Sequence, residues 1–396
     1  MSGRAWIVSD LGWGDSGKGT SVDYLARARG ARLVVRWNGG SQAGHRVVTD
    51  DGRAHVFAQI GAGSFVDGAR THLAETVLVD PVALQFEARA LGDPSVLARM
   101  TIAESARVIT PFHVAANRLR EAARGDGRHG TTGCGVGEAV RDALDHPAGV
   151  VRARHLVGER HVFRRLLAEV QERLIASLAD ELRALRGHPQ AEHPRALLTI
   201  VRGDYTESFL ERLAHVAPAR IVPDDAIDAA LAAEDVVLEG AQGVLLDQDE
   251  GVSPPHVTWS RCTTHAAMEW LDAHGHRGAR TRYGVMRTYA TRHGAGPFPT
   301  EAPELAPLLP EPSAHPESLQ GPFRVGWLDL ERLRYAIAKS PIDALVATHL
   351  DRLGVLPARE GEPREPEPWI AYVEAALGHR IAITSHGPRA SDKRER

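Results

Sequence analysis

A short apolar run, Trp6-Ile7-Val8, enters the glycine-rich turn Gly12-Trp13-Gly14-Asp15-Ser16-Gly17-Lys18-Gly19-Thr20. The segment Ser21-Val22-Asp23-Tyr24-Leu25-Ala26 then reads as a helix, and Arg32-Leu33-Val34-Val35-Arg36 as the next strand. No other feature constrains the fold as much, because a strand–loop–helix–strand run is the opening of a parallel sheet. Further apolar runs predict strands at Val77-Leu78-Val79, Val236-Val237-Leu238, Leu345-Val346-Ala347 and Ile381-Ala382-Ile383. Their C-terminal ends feed loops rich in Gly, Asp and Thr, which is how open α/β sheets build ligand sites. The fold class that follows is α/β: P-loop-like, with a mostly parallel central sheet flanked by helices and carrying helical and loop insertions.

Residues 1–396 read as a single elaborated domain without repeats. Residues of about 156–215 form a helical insertion with apolar spacing of three and four and no chemistry of its own. The Pro-rich stretches 302–322 and 356–368 read as loops, and the polar end, from about 390, as a disordered tail. A net charge of −4 gives no argument for nucleic acid or an anionic membrane. No apolar run approaches the roughly 18 residues of a membrane span. The first residues lack a signal-peptide pattern. Cys134 and Cys262 form no metal or disulfide pattern. The chain therefore reads as a cytoplasmic enzyme.

The glycine-rich turn has the context of a phosphate cradle. Glycines let backbone N–H groups approach phosphate oxygens, the helix N-terminus adds positive potential, and Lys18 supplies a point charge. Lys18 is conspicuous because the only other lysines are Lys339 and Lys393. Gly19 separates Lys18 from Thr20, so this is not a standard Walker loop. Asp15 beside phosphates would repel them unless a cation or proton intervenes. Its residue type leaves three roles open: a Mg²⁺ ligand, a general base, or a loop cap bonded to its own backbone. After the second strand comes Asn38-Gly39-Gly40-Ser41-Gln42-Ala43-Gly44-His45. It offers the Gly44 carbonyl to a metal and His45 as acid or donor.

These segments resemble the adenylosuccinate synthetase family, whose G-D-E-G-K-G-K and G-G-N-N-A-G-H motifs read here Gly-Asp-Ser-Gly-Lys-Gly-Thr and Gly-Gly-Ser-Gln-Ala-Gly-His. Further blocks follow in family order. Residues 130–137 resemble G-T-T-G-R-G-I-G, residues 239–247 resemble E-G-A-Q-G-T-L-L-D, and residues 291–301 resemble T-R-V-G-A-G-P-F-P-T-E. Gly326-Trp327-Leu328-Asp329 resembles G-W-L-D, His349-Leu350-Asp351 resembles K-L-D, and Ser385-His386-Gly387-Pro388 resembles S-T-G-P.

The resemblance implies a GTP-dependent C–N ligase. Such an enzyme phosphorylates the 6-oxo group of an IMP-like nucleotide and displaces phosphate with the amine of aspartate, giving adenylosuccinate, GDP and phosphate. It implies Asp15 as base, with His45, Lys18 and Gln242 as its catalytic partners, and Mg²⁺ held by Asp15 and Gly44. For GTP it implies Gly14, Ser16, Gly17, Lys18, Gly19, Thr20, Gly44 and His45 around the phosphates. At the guanine it implies Asp351, Ser385, Gly387 and Pro388. A carboxylate accepts from guanine N1–H and the 2-amino group together, which favours GTP over ATP. For the acceptor nucleotide it implies Asp15, Gln42, Thr132, Gln242 and Thr258, and for the amine donor Thr300 and Arg324. It also implies a homodimer.

The activating half of the pattern is nearly intact, while the acceptor and donor half is rewritten. Gln42 stands for Asn, Cys134 for an Arg, and Ala148 occupies the place of an inter-subunit Arg, with Arg152 and Arg154 as nearby substitutes. The Thr- and Arg-rich donor segment is Glu317-Ser318-Leu319-Gln320-Gly321-Pro322-Phe323-Arg324-Val325, where only Arg324 survives. Ser16 replaces a Glu. Two alternatives stand beside the ligase reading. One is a paralogue with the same activation chemistry but another acceptor or donor; the other is a GTP-binding protein without ligase activity.

Overall fold

The first strand, β1 (Ala5–Asp10), is buried along its whole length because it lies inside a sheet covered on both faces. The computed structural model describes residues 3–185, 192–213, 219–311 and 319–396. The strands in chain order are β1, β2 (Leu33–Arg36), β3 (His45–Val48), β4 (Ala54–Phe57), β5 (Arg70–Leu73), β6 (Leu78–Val79), β7 (Met100–Ala103) and β8 (Arg107–Val108). They continue with β9 (Arg220–Val222), β10 (Val236–Glu239), β11 (Arg280–Arg287), β12 (Ala290–His293), β13 (Phe323–Gly326), β14 (Ala344–Thr348), β15 (Ile381–Ser385) and β16 (Lys393–Glu395). Among the described residues ten of these form one sheet in the order β16-β15-β14-β11-β1-β10-β2-β5-β7-β9. Every pairing in it is parallel except β15 with β16. The α/β class with a mostly parallel central sheet is as expected.

The helix after the first loop, α1 (Lys18–Arg29), starts at Gly17 with φ 97° and ends at Gly30 in the left-handed region. Ile7, Val8, Val34, Val35, Val237 and Leu238 belong to one core beneath it. The helices of the 156–215 region, Arg160–Ser177, Ala179–Ala184, Glu192–Arg202 and Thr206–Leu213, are as expected. They make a separate core with the helix Pro111–Arg124 through Phe112, Leu119, Phe163, Leu167 and Phe209.

Two expectations are corrected. Val77-Leu78-Val79 is not a strand of the main sheet. Leu78 and Val79 pair with β8, and the Leu78 amide donates to the Gly39 carbonyl at 2.9 Å, so the run props the loop after β2. The polar end is not a disordered tail. Residues Lys393–Glu395 add to β15 as an antiparallel edge strand, and the Arg396 amide bonds the Ala382 carbonyl at 3.0 Å. Backbone pairing fixes this strand, and its charged side chains find partners: Glu395 meets Arg29 at 2.7 Å and Arg396 meets Glu374 at 3.2 Å. Among the described residues no helix is long and apolar enough to cross a membrane.

Candidate active site

Parallel strands end on the same edge of a sheet, so the loops after β1, β2, β10, β11, β14 and β15 meet there. They surround a cleft of about 570 Å³, the size of a small-molecule site.

Asp10, the last residue of β1, organises the phosphate loop. Its carboxylate accepts from the Gly12 amide at 2.8 Å, the Ser16 amide at 2.9 Å and the Ser16 hydroxyl at 2.9 Å. It also holds the Lys18 ammonium at 3.1 Å, where Lys18 is buried yet on the cleft wall. Ser16 is thereby turned beneath the loop and does not line the cleft, unlike Gly14, Gly17, Gly19 and Thr20. Both Ser16 donors, expected to face GTP, here go to Asp10. The glycine between Lys18 and Thr20 also has a reason: a Cβ at Gly19 would lie 2.7 Å from the His45 Cβ.

Asp15 projects into the cleft, and its carboxylate pairs with His293 Nε2 at 3.1 Å. The Arg287 guanidinium donates to the Asp15 carbonyl at 3.0 Å. Burial pushes the Asp15 carboxyl up, but the hydrogen bond and charge of His293, with Lys18 and Arg287, outweigh it and hold it below its ordinary value. The same pair raises His293 against its own burial. Asp15 is therefore a carboxylate at neutral pH, suited to accept a proton or bind a hard cation.

His45 opens β3, and its Nδ1 lies 2.5 Å from Glu239 Oε1 at the end of β10. Glu239 is fully buried and also accepts from the Ala62 amide at 2.9 Å. Burial pushes the His45 ring down to about 4, although the Glu239 hydrogen bond pulls the other way. Burial raises Glu239, but Arg36 and His45 outweigh that and keep it low. A neutral ring donating Nδ1–H to a carboxylate leaves Nε2 as the nitrogen available to a ligand.

The residues expected at the acceptor, Gln42, Thr132, Gln242 and Thr258, all line the cleft. Both polar atoms of the Gln42 amide and the Gln242 carbonyl oxygen are buried without a protein partner among the described residues. Gln242 holds a left-handed backbone, φ 56°, rare for a side-chain-bearing residue and typical of functional loops. Arg152 and Arg154 do not line the cleft, and Arg152 instead donates to the Ser105 carbonyl at 2.7 Å. Arg124 and Arg141 occupy the wall in their stead.

Gly44, Asp351, Ser385, Gly387 and Pro388 also line the cleft. His349, in the place of the family Lys, is half-buried with φ 62° and meets the Tyr289 ring edge-on at 5.6 Å between centroids. The two expected donor residues do not reach the cleft among the described residues. Arg324 is spent on Glu301 at 2.7 Å and the Gly296 carbonyl at 2.8 Å, and Thr300 Oγ1 is buried beside no partner. Arg292 does line it, stacked 3.9 Å over the Trp13 ring and bonded to the carbonyls of Ala295 and Pro297. Burial and the nearby Arg324 push Arg292 down to about 10, the mark of a cation placed without a counter-ion. The Glu317 and Ser318 part of the donor segment lies outside the described residues.

Sequence reasoning assigned no role to Asp10, Glu239 or His293. Each had a signal: an Asp at the mouth of the loop, a Glu heading Glu-Gly-Ala-Gln-Gly, and a His where the family motif has Val.

The family model described as adenylosuccinate synthetase matches residues 7–358. The adenylosuccinate synthetase of Sorangium cellulosum is 35% identical over 364 residues, covering 89% of this chain and 79% of the relative. That of Symbiobacterium thermophilum is 33% identical over 351 residues, covering 88% and 76%. The fully ligated adenylosuccinate synthetase of Plasmodium falciparum has the same fold, with a TM-score of 0.74 over 99% of both chains at 20% identity. The succinoaminodeoxyadenylate synthetase of cyanophage S-2L, bound to dGMP and dATP, follows at 0.67 over 100% and 96%, with 19% identity. This chain belongs to the adenylosuccinate synthetase family, a family of ligases that form a C–N bond.

Proposed function

We propose that this chain joins the amine of aspartate to C6 of IMP, driven by cleavage of GTP to GDP and phosphate. The observation that carries the reading is one cleft walled by Asp15, Lys18, His45 and Asp351 together. Asp15 takes the N1 proton of the 6-oxopurine, and O6 attacks the γ-phosphate, releasing GDP. The aspartate amine then adds to C6, O6 leaves with the phosphate, and the amine gives up a proton. Phosphorylation is needed because the oxygen of an amide-like ring is a poor leaving group.

Lys18 exchanges its Asp10 contact for a phosphate oxygen, and the dianionic γ-phosphate raises the proton affinity of His45, which then donates from Nε2. Gln242 and Gln42 offer their unpaired amides to the base and ribose of the acceptor, and Thr132, Thr258 and Arg141 face its phosphate. Arg292 holds a carboxylate of the donor. The Asp15 carboxylate and the exposed Gly44 suit a cation that takes few protein oxygens and otherwise phosphate and water, as Mg²⁺ does. When bound, Mg²⁺ neutralises charge that develops on the phosphates. The working protein is a cytoplasmic homodimer.

The deciding assay mixes protein, GTP, Mg²⁺, IMP and aspartate and follows adduct absorbance and phosphate release. Adduct and phosphate are expected in equal amounts, each dependent on all three substrates. Phosphate release with another oxo-nucleotide or amine, and no adduct from this mixture, would overturn the reading.

The guanine end has its own test. Asp351 is about one-third exposed beside Arg352, 3.1 Å away. Removing its charge costs about 1–3 kcal/mol of charge-assisted hydrogen bonding, so Asp351→Asn should lower kcat/KM for GTP roughly ten- to hundred-fold. ITP lacks the 2-amino group and should lose less. A GTP-to-ITP ratio equal to that of the unaltered protein contradicts the assignment.

A further inference from the structure

The family loop ends Gly-Lys-Gly-Lys, but here it ends Gly-Lys-Gly-Thr, so the second loop cation is missing at Thr20. A lysine nevertheless stands at that point. Lys393, on the C-terminal strand β16, places Nζ 2.6 Å from Thr20 Oγ1 and 2.8 Å from the Arg389 carbonyl. The Thr20 hydroxyl in turn donates to the Pro388 carbonyl at 2.8 Å. Thr20 and Pro388 both wall the cleft, one at the phosphate loop and the other in the base-reading loop. Lys393 thus sits one side chain behind the wall where these loops meet.

Its burial is costly. Lys393 is 7% exposed, and its hydrogen bonds go to a hydroxyl and a carbonyl, both neutral. None of the nearby acids contacts it: Asp23 pairs through one oxygen with Arg27 at 3.0 Å and keeps its other oxygen buried without a partner, Asp50 accepts from Ser391 at 2.6 Å, and Asp392 accepts from the Arg389 amide at 2.9 Å. Burial pushes the ammonium down to about 8, against the pull of Asp23, Asp392 and Asp50. A cation buried without a contacting carboxylate is tolerated where an anionic ligand completes its surroundings.

We propose that Lys393 is the second cation of the nucleotide site, a positioning residue delivered from the C-terminal strand in place of the lysine lost at Thr20. It fixes Thr20 as a donor to Pro388, locking the phosphate loop to the base-reading loop. Its charge favours the phosphates of the bound guanine nucleotide. The proposal rests on reading the cleft as a GTP site.

The test is calorimetric titration of the full-length protein at pH 7 with GDP and with guanosine. Lys393→Met is expected to weaken GDP binding roughly tenfold, the scale of one partly buried charge on phosphate, and guanosine less than about twofold. Lys393→Arg should retain most of the GDP affinity. The exchange Thr20→Lys with Lys393→Thr should recover it, because the loop regains its own lysine. Thermal unfolding confirms that each variant is folded, and the arginine variant decides the matter if the methionine variant is not. Unchanged GDP affinity in Lys393→Met, equal weakening of GDP and guanosine, or an exchange variant as weak as Lys393→Met overturns the proposal. If the unaltered protein binds ADP and not GDP, the guanine reading falls instead, and the same variants are scored on ADP against adenosine.

Discussion

Replacing Asp15 with alanine is expected to lower turnover by about 10²–10⁴-fold, the range contributed by a positioned proton acceptor, while GDP still binds within about threefold of normal. The acceptor oxygen attacks only after the ring has lost its N1 proton, so removing the acceptor of that proton stops the first step. Binding of GDP rests on other groups: the loop amides, Lys18 and Asp351. Asp15→Asn should behave similarly, because it keeps the shape and loses the basic oxygen. Single-turnover phosphate release separates the cases. Turnover near normal in either variant removes Asp15 as the base. The direction of the Asp15 shift sets the pH behaviour. His293 keeps the carboxyl below its ordinary value of 3.8, so Asp15 is competent above that value and loses the ability to take a proton only as pH falls further. An acid limb of kcat near neutrality must therefore come from another group.

Glu239→Gln is expected to lower kcat about 10²–10³-fold, the cost of removing one oriented donor to developing charge. KM for GTP should change less than about threefold. His45 works by charging against the transferring phosphate, although burial pushes its ring down to about 4. Only a fully buried carboxylate at 2.5 Å can stabilise the imidazolium when phosphate arrives. Glutamine keeps the hydrogen-bond acceptor but not the charge. The change also leaves Arg36, 4.0 Å from Glu239, without its counter-charge, so some stability is lost too. The discriminating measurement is the His45 ring pKa by NMR with GDP and phosphate bound. It should rise on ligation in the unaltered protein and stay low in Glu239→Gln. A normal kcat in the variant removes the pair from the mechanism.

Much of the sheet was legible because buried parallel strands are continuous apolar runs, as at Val34-Val35 and Val236-Val237-Leu238. Strand β11 was not, because its first half, Arg280-Thr281-Arg282, is only partly buried and keeps polar side chains. The C-terminal strand was hidden for a related reason. An edge strand is held by backbone pairing with β15, and its side chains are charged because they ion-pair at the surface. Lys18 and His45 stood out because they sit in glycine-rich loops at strand ends, Gln242 came from the family resemblance, and all three line the cleft. The side chains of Thr300 and Arg324 turn away from the cleft, Arg324 toward Glu301 and the Gly296 carbonyl, because motif order says which residues are near one another and not which way their side chains turn.

Sequence alone determined the phosphate loop, the parallel sheet and the residue types available for proton transfer and charge. These depend on contacts within a few residues and on glycine at particular steps. Tertiary structure decided which group each of them meets: Asp10 for Lys18, Glu239 for His45, His293 for Asp15 and Lys393 for Thr20. The physical reason is the sheet. Parallel strands bring their C-terminal ends to one edge whatever the chain distance between them, so partners far apart in sequence meet with no local pattern to announce them.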